Sequence, residues 1–101
     1  MDVLWMLDAV ALQGPEIIAV AEIGARADRV VGRIRAAGGD VLLFSSAHFL
    51  RVLAARWLGL EPAGGRYLLL GTAALCILGY EHNLGEPAIR LWNDTRHLDR
   101  G

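Results

Sequence analysis

Lysine is absent from this chain, and cysteine nearly so. All ten basic residues are arginine, a coding bias that marks no site. The single cysteine, Cys76, excludes an internal disulfide and a multi-cysteine zinc centre, and it fits a reducing, cytoplasmic setting. Charge of neither sign dominates. The formal net charge is −1, so no field draws the chain to nucleic acid or to an anionic membrane. Long hydrophobic runs are missing as well: none approaches the ~18 residues that a membrane span needs. The apolar start, Met1 to Asp8, carries two acids and no basic flank, which makes it a poor secretion signal. Neither an internal repeat nor a low-complexity tract is present.

What the chain does have is apolar surface. Hydrophobic residues make up 54% of 101, above the roughly 45–50% of soluble domains, and the mean hydropathy is positive. These figures argue against disorder and allow one domain with one core. They also imply more apolar surface than a small core buries, and so a partner surface.

Residues 2–12 read either as a short apolar helical piece or as a buried extended one. Gly14-Pro15 breaks the chain, and Pro15 with Glu16 suits the first turn of a helix. The spacing predicts that helix over 16–37. Ile23, Ala27, Val30, Val31 and Ile34 form one apolar stripe, with Glu22, Arg26, Arg29 and Arg33 on the other side. Gly38-Gly39 ends it. Four apolar residues in a row over Asp40–Phe44 predict a strand buried on both faces, as in a sheet with helices on each side. A helix follows from about Ala47 to Leu58, with Phe49, Val52, Leu53 and Trp57 inward and Gly59 as its stop. Residues 61–72 read as a loop, with 66–70 as a short extended piece. Ala74–Glu81 and Ala88–Trp92 read as antiparallel strands joined by a turn rich in Asn, Gly and Pro. Residues 93–101 read as a frayed polar tail. The order is helix, strand, helix, strand, strand, an α/β layout with a mixed sheet.

The junction Asp40 to Gly59 is the most informative stretch. A strand runs straight into a helix, with Ser45 and Ser46 at the turn. Such a junction presents unbonded N–H groups and the positive end of a helix dipole, so it can hold an anion. Either serine equally serves as a plain helix cap, since serine ranks high among N-cap residues.

Ser45-Ser46-Ala47-His48-Phe49-Leu50-Arg51 resembles the second signature of the histidine phosphatase (phosphoglycerate mutase-like) superfamily, which normally reads Ser-His-Gly-His-Phe-Leu-Arg. The likeness runs from about Ala21 to Leu98. It takes in Ala21-Glu-Ile-Gly-Ala-Arg-Ala-Asp-Arg29, Ala54-Ala55-Arg56-Trp57-Leu58-Gly59-Leu60, Gly71-Thr72-Ala73-Ala74-Leu75, Leu78-Gly79-Tyr80-Glu81-His82 and Ile89-Arg90-Leu91-Trp92-Asn93. No single piece is diagnostic; the combination in this order is. The resemblance implies a three-layer α-β-α fold, a partial phosphoglycerate mutase-like mixed sheet lacking the N-terminal catalytic strand. Residues 21–98 would be the C-terminal part of such a domain, with 1–20 unexplained and 99–101 a tail.

The resemblance also implies a chemistry. A histidine within Arg-His-Gly attacks phosphorus and becomes phosphohistidine, arginines neutralise the phosphoryl oxygens, and a carboxyl group protonates the leaving oxygen. The second histidine completes the phosphate pocket. No cofactor or metal is implied. This chain contains no Arg-His-Gly, and the family's second histidine falls on Ser46. The Glu-Ser that the family places before its first helix falls on Ile18-Ala19, with Glu16 two residues away. The expectation is a truncated relative of a phosphate-monoester phosphatase or phosphomutase, inactive alone.

The candidate site is therefore weak phosphate binding by Ser45, Ser46 and His48, with no catalytic group intact. His48 should point about 200° around the helix axis from Ser46, either lining the pocket mouth or simply solvated. Ala47 replaces a glycine, at a cost set by its φ. Arg51 and Arg56 should pair with carboxylates, Arg66 sits in a loop, and His82 and His97 read as solvated turn and tail residues. Trp5, Trp57 and Trp92 should pack in the core. Phosphorylated small molecules would be partners of full-length relatives, and nucleic acid and membrane would not. The alternative to a phosphatase is a non-enzymatic interaction module or oligomerising remnant that self-associates through an exposed sheet edge.

Overall fold

A computed structural model describes the backbone of residues 4–8 and 20–98, and side chains at Leu4 and from Ile23 to Leu98. Strand β1 is Leu4–Asp8, helix α1 Val20–Ala37, strand β2 Val41–Ser45, helix α2 Ala47–Trp57, strand β3 Leu75–Tyr80 and strand β4 Pro87–Asp94. Two 3₁₀ turns, Pro62–Tyr67 and Arg96–Leu98, complete it.

The strands form one mixed sheet in the order β2-β1-β3-β4. β1 is parallel to β2, with Leu4 opposite Val41 and Asp8 opposite Ser45. On its other side β1 is antiparallel to β3, with Leu4 opposite Leu78. β3 and β4 form the antiparallel hairpin that their turn residues predict. Asn83 builds that turn: its Oδ1 accepts the Gly85 N–H at 2.8 Å, and Glu81 N–H reaches the Glu86 carbonyl at 2.8 Å. The extended reading of residues 2–12 holds for Leu4–Asp8, which adds a strand ahead of the predicted order.

Helix α1 buries the stripe that its spacing predicts. Ile23, Ala27, Val31 and Ile34 are buried and Val30 is half-buried. The helix ends where Gly38 takes φ +67°, a conformation that costs a side-chain-bearing residue more. Helix α2 ends in a Schellman motif. The Gly59 N–H bonds the Arg56 carbonyl and the Leu60 N–H bonds the Ala55 carbonyl, with Gly59 at φ +81°.

Both helices pack on one face of the sheet. Leu50, Leu53, Ala54 and Trp57 of α2 join the α1 stripe over Leu4, Cys76, Leu78 and Tyr80. Trp57 is the largest fully buried side chain; its indole N–H donates to the Gly79 carbonyl at 2.9 Å, and its ring lies 5.4 Å from that of Tyr80. Trp92 is half-buried and donates to the Leu69 carbonyl. The Trp5 side chain lies outside the described residues.

The α/β class and the mixed sheet hold. The described residues supply one helical layer, so β2 is not covered on both faces as its apolar run suggests: Leu42 and Phe44 are 58% and 56% exposed on the side away from the helices.

Two other expectations change. Residues 66–70 are not an extended piece, because Arg66 and Tyr67 belong to the first 3₁₀ turn. That turn is pinned to both helices. A Cβ on Gly65 would meet the Arg51 carbonyl oxygen at 2.9 Å, and one on Gly24 would meet the Pro62 ring. The Arg51 guanidinium then clasps the turn, donating to the Gly65 carbonyl at 3.0 Å and the Arg66 carbonyl at 2.8 Å. Nor are residues 93–98 a frayed tail. Asn93 and Asp94 finish β4, Arg96 forks onto the Asp94 carboxylate at 2.7 Å, and the His97 ring lies 2.9 Å from the Ala73 carbonyl oxygen.

Candidate functional site

The two parallel strands end side by side, and ligands in α/β sheets gather at the carboxyl ends of parallel strands. Asp8 closes β1 in register with Ser45, the last residue of β2. Ser46 follows as the N-cap of α2, at φ −76° and ψ 152°. Its hydroxyl accepts the Phe49 N–H at 3.4 Å, and its carbonyl accepts the Leu50 N–H at 2.9 Å. Ser46 thus takes the capping role open to either serine, and its oxygen is engaged by the helix it starts. The N–H groups of Ala47 and His48 begin the helix with no preceding turn to bond.

Ala47 lies inside α2 and is not among the described residues with positive φ, so replacing a glycine here carries no backbone strain. His48 is exposed one step further round. It lines a cavity of about 270 Å³ with Arg51, Val52, Pro62, Ala63, Gly65 and Arg66. Ser45 and Ser46 do not line it. The three residues proposed for phosphate therefore split, with two serines at the strand ends and His48 over the groove between α2 and the 3₁₀ turn.

Arg51, Arg56 and Arg66 each bond a partner within the fold. Arg56 pairs with a carboxylate as expected: its Nε and Nη2 reach Asp28 at 2.7 and 3.2 Å, and this hydrogen bonding raises its pKa. Arg51 does not pair with a carboxylate; it holds two backbone carbonyls. Arg66 bonds the Tyr67 hydroxyl at 2.6 Å and lies 4.8 Å over that ring. His82 is a solvated turn residue beside Glu86 and Glu81, at 3.3 and 3.7 Å. Cys76 is buried, burial pushes its thiol pKa up, and its sulfur accepts the Asn93 N–H at 3.3 Å. A buried thiol held protonated is a poor nucleophile. Among the described residues no three His, Cys, Asp or Glu side chains cluster as metal ligands, and no helix is long and apolar enough to cross a membrane.

Two features escaped sequence reasoning. The register placing Asp8 against Ser45 is long-range, and no local signal carries it. The Arg51 clasp had a hint in Gly64-Gly65, a pair that permits close backbone approach.

Comparison with known proteins agrees with this fold. The sequence model of the histidine phosphatase superfamily (branch 1) matches residues 5–95, starting well ahead of Ala21. An acid phosphatase of Mycobacterium tuberculosis is 35% identical over 72 residues, which make up 69% of this chain and 36% of that protein. The solved structure of an open reading frame from Mycobacterium tuberculosis superposes with a TM-score of 0.71 at 33% identity, covering 80% of this chain and 42% of that one. A phosphoserine phosphatase from Entamoeba histolytica, solved with phosphoserine, shares the fold at 17% identity, with a TM-score of 0.65 over 81% of this chain and 42% of that one. The chain thus spans less than half the length of these relatives.

Proposed function

This chain belongs to the histidine phosphatase superfamily, and from that premise we propose that it descends from a phosphate-monoester phosphatase working through phosphohistidine, and that these 101 residues alone do not turn over such esters. One observation carries the reading. The position of the family's second histidine is Ser46, whose hydroxyl is engaged as a helix cap. A hydroxyl stays neutral near pH 7, and among the described residues no base bonds Ser46 to make it a nucleophile. The nucleophile itself would come from Arg-His-Gly, which does not occur in these residues.

What remains is a weak phosphate seat at the start of α2, made by N–H groups of the first turn and flanked by Ser45, Ser46 and His48. The substrate class is that of the relatives, phosphate monoesters, and a reducing, cytoplasmic setting suits the single buried thiol.

The test is hydrolysis of an aryl phosphate by the purified chain, by its Ser46→His variant, and by that variant mixed with the part of the Mycobacterium tuberculosis acid phosphatase that this chain does not match. We expect turnover only in the mixture. Turnover by the unmodified chain that disappears in Ser46→Ala would overturn the proposal.

A second reading, a non-enzymatic module that associates through its sheet, is favoured by Leu42 and Phe44 standing exposed on an outer strand.

A further inference from the structure

Among the described residues, two that carry side chains hold left-handed backbone: Ala73 at φ +58° and Asn93 at φ +56°. Asparagine takes this conformation readily, and the bonds of Asn93 account for it. Its Oδ1 accepts the Gly71 N–H at 2.8 Å, and its own N–H reaches the Cys76 sulfur at 3.3 Å. Alanine has no polar side chain to bond locally, and its Cβ crowds the carbonyl oxygen in a left-handed turn. Such strain persists only where the surroundings over-determine it.

The surroundings of Ala73 act from two sides. From within, the Ala74 N–H bonds the Gly71 carbonyl at 3.3 Å, and Ala74 is fully buried, which fixes the chain beyond. From outside comes His97. Its Nε2 lies 2.9 Å from the Ala73 carbonyl oxygen, and since a carbonyl only accepts, Nε2 carries the proton and donates. His97 is itself placed by the 3₁₀ turn Arg96–Leu98. The Arg96 N–H and guanidinium hold the Asp94 carboxylate at 2.9 and 2.7 Å, and the Leu98 N–H bonds the Thr95 carbonyl at 2.9 Å. A run of contacts thus leads from the end of β4 back to Ala73.

We infer that the turn Arg96–Leu98 is a strap with His97 as its latch, holding the Gly71–Ala74 turn in a left-handed form that it does not keep by itself. The place gives the strap its effect. β3 begins at Leu75, opposite Leu7, so the held turn stands beside the carboxyl end of β1, where β2 also finishes. Strain at Ala73 pushes this turn open, and a hydrogen bond from an exposed ring holds it shut. When the latch lets go, Ala73 returns to ordinary backbone and the rim of the sheet changes shape while the core stays closed. Local opening of this kind needs far less free energy than unfolding.

Amide hydrogen exchange on the 101-residue chain tests this, because the Gly71 and Ala74 N–H groups are bonded only while the turn is closed. His97→Ala should lower the protection of both about three- to tenfold, the worth of one hydrogen bond. The Leu53 and Leu78 amides, in α2 and β3, should stay within about twofold of their values. His97→Gln, which keeps an N–H donor, should fall between. Ala73→Gly added to His97→Ala should recover about fivefold in protection, since glycine takes positive φ freely. Four results would each overturn the strap: Gly71 and Ala74 unmoved by His97→Ala, a loss shared equally by Leu53 and Leu78, His97→Gln no better than alanine, or no recovery with glycine at position 73.

Discussion

Replacing Gly65 by alanine should destabilise the chain more than its one added methyl suggests. The new Cβ would stand 2.9 Å from the Arg51 carbonyl oxygen, 3.0 Å from its carbon and 3.1 Å from the Val52 nitrogen. All three are backbone atoms in the first half of α2, so no side chain can swing aside. The 3₁₀ turn must lift instead. Overpacking of this kind costs about 1–3 kcal/mol. Lifting also lengthens both bonds from the Arg51 guanidinium to the turn, of which the partly buried one to the Gly65 carbonyl matters more. Hydrogen bonds from a charged donor contribute about 1.5–3 kcal/mol when intact, less where water can replace them. The total falls near 2–4 kcal/mol. For a chain of this length each kcal/mol moves the melting temperature by about 4–8 °C, so a drop of at least about 8 °C is expected. Gly64→Ala is the control. Its nearest neighbours are the Leu60 side chain at 3.4 Å and beyond, which is ordinary contact. Thermal melts of both variants, checked by urea titration, decide the matter. If Gly65→Ala unfolds within about 0.5 kcal/mol of Gly64→Ala, the tight seat of the turn on α2 is wrong.

Two further predictions concern the core and the end of β4. Trp57→Phe leaves the buried Gly79 carbonyl without its 2.9 Å donor and shrinks the largest core side chain, a loss of about 2–4 kcal/mol in urea unfolding; a loss below about 1 kcal/mol would mean that the indole N–H does little for the fold. The Asp94 carboxyl is held down to about 2 from its ordinary 3.8, first by the side-chain hydrogen bond from Arg96 and then by the Arg96 backbone N–H. A folded pKa below the unfolded one gives stability that is present above about pH 4 and lost as pH falls toward 2. The Asp94 carboxyl resonance should therefore titrate near 2, and Asp94→Asn should flatten the acid limb of the melting curve. A midpoint near 3.8 would place the Arg96 fork outside the solution ensemble.

Elements whose signal is local were legible in the sequence. The α1 stripe, the glycine stops after both helices, the serine cap and the Asn-Gly turn of the hairpin each depend on residues a few positions apart. The 100° step of a helix also foretold that His48 would leave Ser46 behind. Strand β1 was ambiguous because an apolar run without a period suits helix and strand alike. The same lack of alternation in Val41–Phe44 hid that Leu42 and Phe44 point away from the helices. The 3₁₀ turn and the ordered end of β4 depend on contacts with distant residues, Arg51 with Gly65 and His97 with Ala73, and spacing rules do not reach them. For the site, Ser46 at the position of the family's second histidine is read from the motif alone. The placement of Asp8 opposite Ser45 depends on sheet register alone.

The central position of β1 has a consequence for how the chain acquires its fold. Leu4 must find Val41, 37 positions on, and Leu78, 74 positions on. Such distant pairings close slowly. The β3–β4 hairpin, α1 and α2 are built from local contacts, yet β2 and the hairpin cannot meet until the first strand lies between them. On a ribosome adding ~5–20 residues per second, β1 precedes both its neighbours, can pair with β2 once residue 45 is made, and keeps its other edge open until β3 follows. The nascent sheet should thus remain protease-sensitive until β3 has emerged, and then close in one late step.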